Sequence, residues 1–443
     1  LTSLYKYHLK ETALLAYPVV FAQLGHIMLG VVDSMMVGGI GAEPLAAAAV
    51  SNGVFFILMV IGLGISYAIT PLVAIKVGEG RPNECGDILK QGFITNLAVG
   101  LILAVLIFIV AENFQYFNQP KRVTALSIDY LKIIGVSAIP FMVFQTYRQY
   151  IEGFSLTKPA MFIILVSNIV NFFVNWLLIY GKWGFPELGL NGAGYATLIS
   201  RIFMAAVIVA YALRSSKVRP YNPSFTVAKA NWKLIKKILS VGVPSGFQYF
   251  FETAAFSLGA VMIGWIGAKD LAAHQIALNL ASITYMAALG VSAAGAIRVG
   301  GAFGRKDKHE IRTAGFTALL ISVSFMACAG LTFIALNNFL PRFYINDEFV
   351  ISKASMLLVM AALFQMSDGA QAVGLGILRG LTDVKIPTLI TFIAYWILSL
   401  PIGYILSFHY NFGVVGVWIG FIIGLTASAV MLTIRFNLKT NQI

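Results

Sequence analysis

The stretch from Thr12 to Ala42 is 31 residues long and carries one formal charge, Asp33; His26 is its one other group that titrates near neutrality. About 20 apolar residues suffice to cross a bilayer core, so this run is long enough to span with tilt or with a bend at Pro18. A carboxylate held at such depth costs about 2.5–3.5 kcal/mol on insertion scales and is kept where it faces a cavity, a partner or an ion. Asp33 can therefore serve a neighbouring helix as a hydrogen-bond partner, or it can bind a cation or a proton.

The same pattern occurs a second time. Ile238 to Ala268 is again 31 residues with a single charge, Glu252, at a constant offset of 226. Pro18 pairs with Pro244, Ile40-Gly-Ala with Ile266-Gly-Ala, and Gly62-Leu-Gly-Ile-Ser66 with Ala288-Leu-Gly-Val-Ser292. The acids do not correspond: the counterpart of Asp33 is Gly259, and that of Glu252 is His26. A duplicated scaffold whose halves carry different polar groups favours a functional reading of both acids, since an architectural carboxylate would more often recur at equivalent positions.

Hydrophobic residues make up 59% of the chain and charged residues 11%, which excludes a soluble enzyme and defines a polytopic helical membrane protein. Of the 18 acids, 15 fall at segment ends or in loops; only Asp33, Glu252 and Asp368 lie deep in apolar runs. The net charge of +13 gathers in loops of one parity, the positive-inside pattern, and is no nucleic-acid signal. Cys85 and Cys328 form no disulfide framework or metal spacing. The first apolar run is too long for a cleavable signal peptide and lacks a small-residue cleavage site.

Twelve apolar segments are expected, at 12–40, 45–75, 88–111, 126–149, 159–181, 190–213, 238–266, 271–300, 311–336, 354–378, 385–408 and 413–434. Six per half means that both halves enter the membrane in the same direction, a parallel repeat about a pseudo-two-fold axis along the membrane normal. The expected organisation is a first lobe over 1–213, a basic inter-lobe linker over 214–237 and a second lobe over 238–443. The linker holds Arg214, Lys217, Arg219, Lys229, Lys233, Lys236 and Lys237 and no acid, and the loop at Arg298–Arg312 is also basic. Both termini and the linker are therefore expected on the cytoplasmic side of a cell (inner) membrane. The basic loops can also attract anionic lipid.

No enzyme constellation is present. A phosphate-binding loop is missing, and His8, His26, His274, His309 and His409 share no metal spacing. The remaining candidates are polar residues on apolar segments. Asn171 and Asn175 are one helical turn apart and share a face, with Asn168 a turn earlier. Thr197 lies on the next segment. A carboxylate, two amides and a hydroxyl are hard oxygen ligands suited to Na+, or a network able to hold a proton on Asp33. In the second half Gln248 precedes Glu252 by one turn, and Gln275 and Asn279 are one turn apart on the next segment. Asp368 lies three segments after Glu252. Two carboxylates near each other would favour proton uptake or attract a cation. Phe247, Tyr249, Phe250, Phe251 and Met366 could line an apolar substrate cavity together with Gln248, Gln275 and Asn279, or belong to ordinary core.

Taken together, Val32-Asp-Ser-Met-Met-Val-Gly38, Glu152-Gly-Phe-Ser-Leu-Thr-Lys-Pro-Ala-Met161, Asn171–Trp176, Pro186-Glu-Leu-Gly189, Gly242-Val-Pro244 with Glu252, and Leu378-Arg-Gly-Leu-Thr-Asp383 resemble the MATE family of multidrug and toxic compound extrusion transporters, in its NorM-like bacterial branch. The resemblance covers nearly the whole chain. It implies an all-α fold of twelve transmembrane helices in two six-helix lobes arranged as a V, alternating access, and export of bulky, often cationic aromatic drugs or dyes in exchange for Na+ or H+. It also implies an ion or proton cluster at Asp33, Asn171, Asn175 and Thr197 and an acidic site at Glu252 and Asp368, with Na+ held at Glu252 and Asp368 or at Asp33 and Asn175. Phe364 departs from the family pattern, where Tyr is common one turn before the Asp, and this removes a phenolic oxygen. Asn175, where archaeal and DinF-like members often have Asp, argues against that branch. A monomer with no cofactor and no nucleic-acid partner is expected. The rival readings are a lipid-linked-precursor flippase of the same superfamily, a specific metabolite exporter, and a channel or sensory protein. The first would bring extra helices and a basic cavity, and the last a pore ring or signalling domain.

Overall fold

The computed structural model describes residues 2–223 and 229–443. Among the described residues there are twelve helices long and apolar enough to cross a membrane, and no strand. They are α1 (Tyr5–Gly38), α2 (Ala42–Gly78), α3 (Pro82–Glu112), α4 (Lys121–Gly153), α5 (Lys158–Ile179) and α6 (Leu190–Arg214), then α7 (Trp232–Ile266), α8 (Ala268–Arg305), α9 (Lys308–Ala335), α10 (Glu348–Gly380), α11 (Lys385–His409) and α12 (Val414–Asn441). Helix is the expected form because lipid offers no partner to an exposed N–H or C=O, so each segment must bond its own backbone. Each expected segment is present, and most extend a turn or two into polar sequence at one or both ends. The α1 helix takes in Lys6, His8, Lys10 and Glu11, polar residues beyond the apolar run.

Several helices are interrupted where sequence pattern gave no warning. The α2 helix breaks at Tyr67–Ala68 and α4 at Ser137. The α11 helix winds as a π-helix over Ile393–Ser399 and again over Ile405–His409, on either side of Pro401. Single π-turns widen a helix and often accompany functional positions.

By packing, the chain forms two compact units. One is Phe21–Gly246; the other joins residues up to Val20 with Phe247–Ile443. The edges fall inside α1 and α7, two residues beyond Pro18 and Pro244, rather than in the basic segment at 214–237. They stand 226 residues apart, the offset of the sequence repeat. The described residues of 214–237 belong to the Phe21–Gly246 unit; 224–228, in the middle of the expected linker, lie outside the described residues.

The repeat is also a repeat of contacts. Lipid chains are as apolar as leucine, so membrane helices associate through close packing at small residues. In the Phe21–Gly246 unit, a side chain at Gly64 of α2 would run into the backbone of Gly246 on α7. In the other unit a side chain at its counterpart, Gly290 of α8, would run into the Val20 side chain and come within 3.0 Å of Val20 N and 3.1 Å of Ala16 O on α1. The core of that unit centres on Trp418, Tyr395, Phe364 and Phe421.

Candidate ion sites and family membership

In the Phe21–Gly246 unit, α1 is laced to α5 at three levels. Asn168 Nδ2 donates to Gly25 O at 3.0 Å, Asn175 Nδ2 to Asp33 Oδ1 at 2.5 Å, and Tyr180 Oη to Met36 O at 2.8 Å. The approach is possible because residue 25 is glycine: an added Cβ would lie 2.8 Å from Ile164 and 3.3 Å from Asn168. Asp33 is 7% exposed. Its second oxygen accepts from Thr197 Oγ1 of α6 at 3.0 Å, and Asn175 Nδ2 also reaches Asn171 Oδ1 at 3.1 Å. The four residues that the sequence pointed to are therefore in one place. The set is not closed. Asn175 Oδ1 and Asn171 Nδ2 are buried and have no hydrogen-bond partner. An unpaired buried amide oxygen beside a carboxylate is a donor set with room for a small cation or a mobile proton.

Three further charged groups in this unit were not anticipated. Arg201 of α6 donates to Ser137 Oγ at 2.6 Å and lies over Phe55 and Phe141, 4.6 and 4.9 Å from the ring centres. It is close enough to Asp33 for their charges to interact. Arg148 and Glu152 form a buried pair on α4, one turn apart, with Nε–Oε1 2.7 Å and 3% and 2% of each side chain exposed. Glu152 lies at a helix end, as expected of the 15 peripheral acids, but it is buried. His26 Nε2 lies 3.5 Å from Arg148 Nη1. The signal was available: arginine in an apolar helix is as costly as aspartate there.

In the second unit, Glu252 of α7 is 7% exposed and Asp368 of α10 is 5% exposed, and their charges are near enough to interact. Tyr285 of α8 lies beside Glu252, whose Oε2 is buried with no hydrogen-bond partner. Tyr395, in the π-helical stretch of α11, pairs with the Gln371 amide at 2.8 and 3.0 Å and also feels both carboxylates. Phe364 is buried and stacks on Trp418 at 5.5 Å, and Trp418 Nε1 donates to His274 Nδ1 at 3.2 Å. The phenolic oxygens of this site thus come from Tyr285 and Tyr395, on two other helices. A single Tyr on an apolar segment gives no direction in sequence, so neither was foreseen.

The expected cavity residues differ in burial. Gln248 is buried, with Nε2 bonded to Val384 O and Thr388 Oγ1, both at 3.1 Å, and Oε1 unpaired. Gln275 and Asn279 are exposed. Phe251 is half-buried, 5.2 Å from Phe392 and 5.7 Å from Phe247 between ring centres. Among the described residues, no three His, Cys, Asp or Glu side chains group as metal ligands.

Two six-helix repeats, each with carboxylates buried among amides, hydroxyls or phenols, define the architecture of a multi-pass membrane transporter. The MatE family model matches residues 18–177 and 244–405, one match in each half, and the chain belongs to that family. It is 33% identical over 440 residues to a probable multidrug resistance protein NorM of Agrobacterium fabrum, covering 98% of this chain and 95% of that one. It is 35% identical over 449 residues to the multidrug resistance protein MdtK of Photorhabdus laumondii, covering 99% and 97%. In fold it is similar to the eukaryotic MATE transporter AtDTX14, with a TM-score of 0.90 at 18% identity over 99% of this chain and 98% of that one. An outward-facing multidrug resistance MATE transporter of the MOP superfamily also gives 0.90, over 98% and 96%.

Proposed function

We propose that this protein is a secondary active efflux antiporter of the cytoplasmic membrane, exporting bulky, often cationic aromatic compounds in exchange for H+ or Na+, with both termini on the cytoplasmic side. The names of the NorM and MdtK relatives support drug export. The observation that carries coupling is the hydrogen bonding of Asp33. Both its oxygens accept, from Asn175 and Thr197, which is the arrangement of an ionised carboxylate. Such charge-assisted bonds are worth about 1.5–3 kcal/mol each. They tie α1 to α5 and α6. A proton or a Na+ at Asp33 removes the charge that strengthens both. Asn175 then keeps its bond to Asn171, and its unpaired Oδ1 can turn toward the bound cation or the new O–H. Ion binding thus loosens one helix against two others and shifts the balance of inward- and outward-facing states, provided that the ion binds one state better. Glu252 and Asp368, with Tyr285 and Tyr395, supply a second acidic site in the other unit.

The test is dye counterflow in proteoliposomes under an imposed Na+ gradient and, separately, a pH gradient, with Asp33→Asn and Asp368→Asn alongside. Export driven by pH alone and lost in Asp33→Asn identifies a proton antiporter run from the Asp33 site. Export driven by Na+ and lost in Asp368→Asn identifies the other site as the coupling site. Absence of dye movement under either gradient overturns drug export.

A further inference from the structure

The segment after α6 carries only positive charge, and its described residues are held at several points. Val218 is fully buried. The Tyr221 ring stacks on Phe154 with centroids 4.0 Å apart, and Tyr150 Oη donates to Tyr221 O at 2.5 Å. Farther on, the Gln91 side chain donates to Lys229 O at 3.1 Å and accepts from Asn231 N at 2.9 Å. A strap held at these points presents its cations at set positions. None of the ion pairs among the described residues uses Arg214, Lys217 or Arg219.

Beside the start of this strap is a cleft of about 680 Å3. One wall is a face of α6, with Val207, Ala210, Tyr211 and Arg214 at helical spacing; Ser216 and Lys217 of the following turn close it. The lining is apolar toward the middle of the helix and hydroxyl-bearing and cationic at its end. Arg214 is the last residue of the membrane helix, where hydrocarbon gives way to headgroups. We propose that this cleft binds the phosphate headgroup of an anionic lipid, with Arg214 and Lys217 on the phosphate, Ser216 and Tyr211 as hydroxyl partners, and an acyl chain along Val207 and Ala210. A soluble organic phosphate shares the headgroup chemistry but leaves the apolar wall uncovered. The site stands at the end of a membrane helix whatever the protein transports, so it does not rest on the efflux reading.

The test is native mass spectrometry of the full chain in detergent, titrated with phosphatidylglycerol, with phosphatidylcholine of the same chains, and with glycerol 3-phosphate. One phosphatidylglycerol should bind tightly and the other two weakly. Removing both cations in Arg214→Gln/Lys217→Gln should weaken that binding at least tenfold, since each cation near an anionic headgroup contributes roughly fivefold. Lys233→Gln/Lys236→Gln removes the same charge from the first turns of α7, outside the cleft, and should change binding less than twofold. Equal weakening in both variants would mean diffuse attraction and overturn the site. Binding of phosphatidylcholine as tight as that of phosphatidylglycerol, or competition by glycerol 3-phosphate at equal concentration, would overturn the lipid assignment. These positions are exposed, and gel filtration with a melting curve verifies folding of each variant.

Discussion

The two units share a scaffold and differ in what they bury. Gly64 and Gly290 occupy equivalent positions and make equivalent close contacts, each with the first half of a proline-bearing helix. The polar groups do not follow the repeat. Asp33 is satisfied by an amide and a hydroxyl on two helices, whereas Glu252 keeps one oxygen without a partner and lies within charge range of a second carboxylate. Duplication retained the contacts that close the helices on one another, because in lipid that packing is what holds them. It did not retain the buried charges, which add nothing to packing and are each costly.

The largest expected effect separates a structural acid from the proposed coupling acids. Glu152→Ala leaves the Arg148 guanidinium buried without its carboxylate, and about 3–5 kcal/mol of stability should be lost. Thermal melting in detergent would read this directly, and a melting curve equal to wild type would place Glu152 with Asp33 instead. Asp33→Asn gives up the charge that strengthens both bonds but also relieves the cost of a buried carboxylate, and it should fall below wild type by about 1–3 kcal/mol, less far than Glu152→Ala. It should nevertheless cut gradient-driven dye efflux at least tenfold. Glu252→Gln and Asp368→Asn should each lower efflux less than the pair together if the carboxylates act separately, or as much as the pair if they act as one site; a double-mutant cycle distinguishes the two.

The contact repeat is open to a smaller perturbation. Gly64→Ala drives a methyl into the backbone of Gly246, which has no rotamer with which to yield, and should cost about 1–3 kcal/mol. Gly290→Ala meets the Val20 side chain before its backbone and should cost less. Equal losses would show that the two contacts are equally adaptable. The smallest effect is at the entrance to α10. There Asp347 accepts from Phe349 N and Val350 N and pairs with Lys269 at 2.8 Å. Lys269 and the two backbone N–H groups hold its carboxyl below the usual carboxylate range. A lowered folded-state value stabilises the protein above the unfolded value, near 4, and this contribution is lost as pH falls through the folded value. The slight melting difference between wild type and Asp347→Asn should therefore be constant near neutrality and vanish in acid.

Much of the architecture could be read directly. Runs of 20 or more apolar residues have one fate in lipid, and the 226-residue offset marked the repeat before any contact was known. The helix ends could not be placed so well, because hydropathy stops at the first charge while the backbone continues, as at Lys6 to Glu11. Asp33, Asn171, Asn175 and Thr197 were legible as a group because a lone deep carboxylate is costly and an i, i+4 amide pair fixes a face. That Gln248 is buried while Gln275 and Asn279 are exposed was not legible, since one face of a helix does not reveal what it meets.

What the sequence alone determined is the number of helices, their duplication and the identity of three deep acids: all are consequences of local apolar length and the cost of charge in lipid. The tertiary structure decided that Glu152 is buried by Arg148, that Tyr285 and Tyr395 rather than residue 364 bring phenols near Glu252 and Asp368, and that the units divide within α1 and α7. Each depends on which residues distant in sequence come within a few ångströms of one another, and helical periodicity carries no information about that distance.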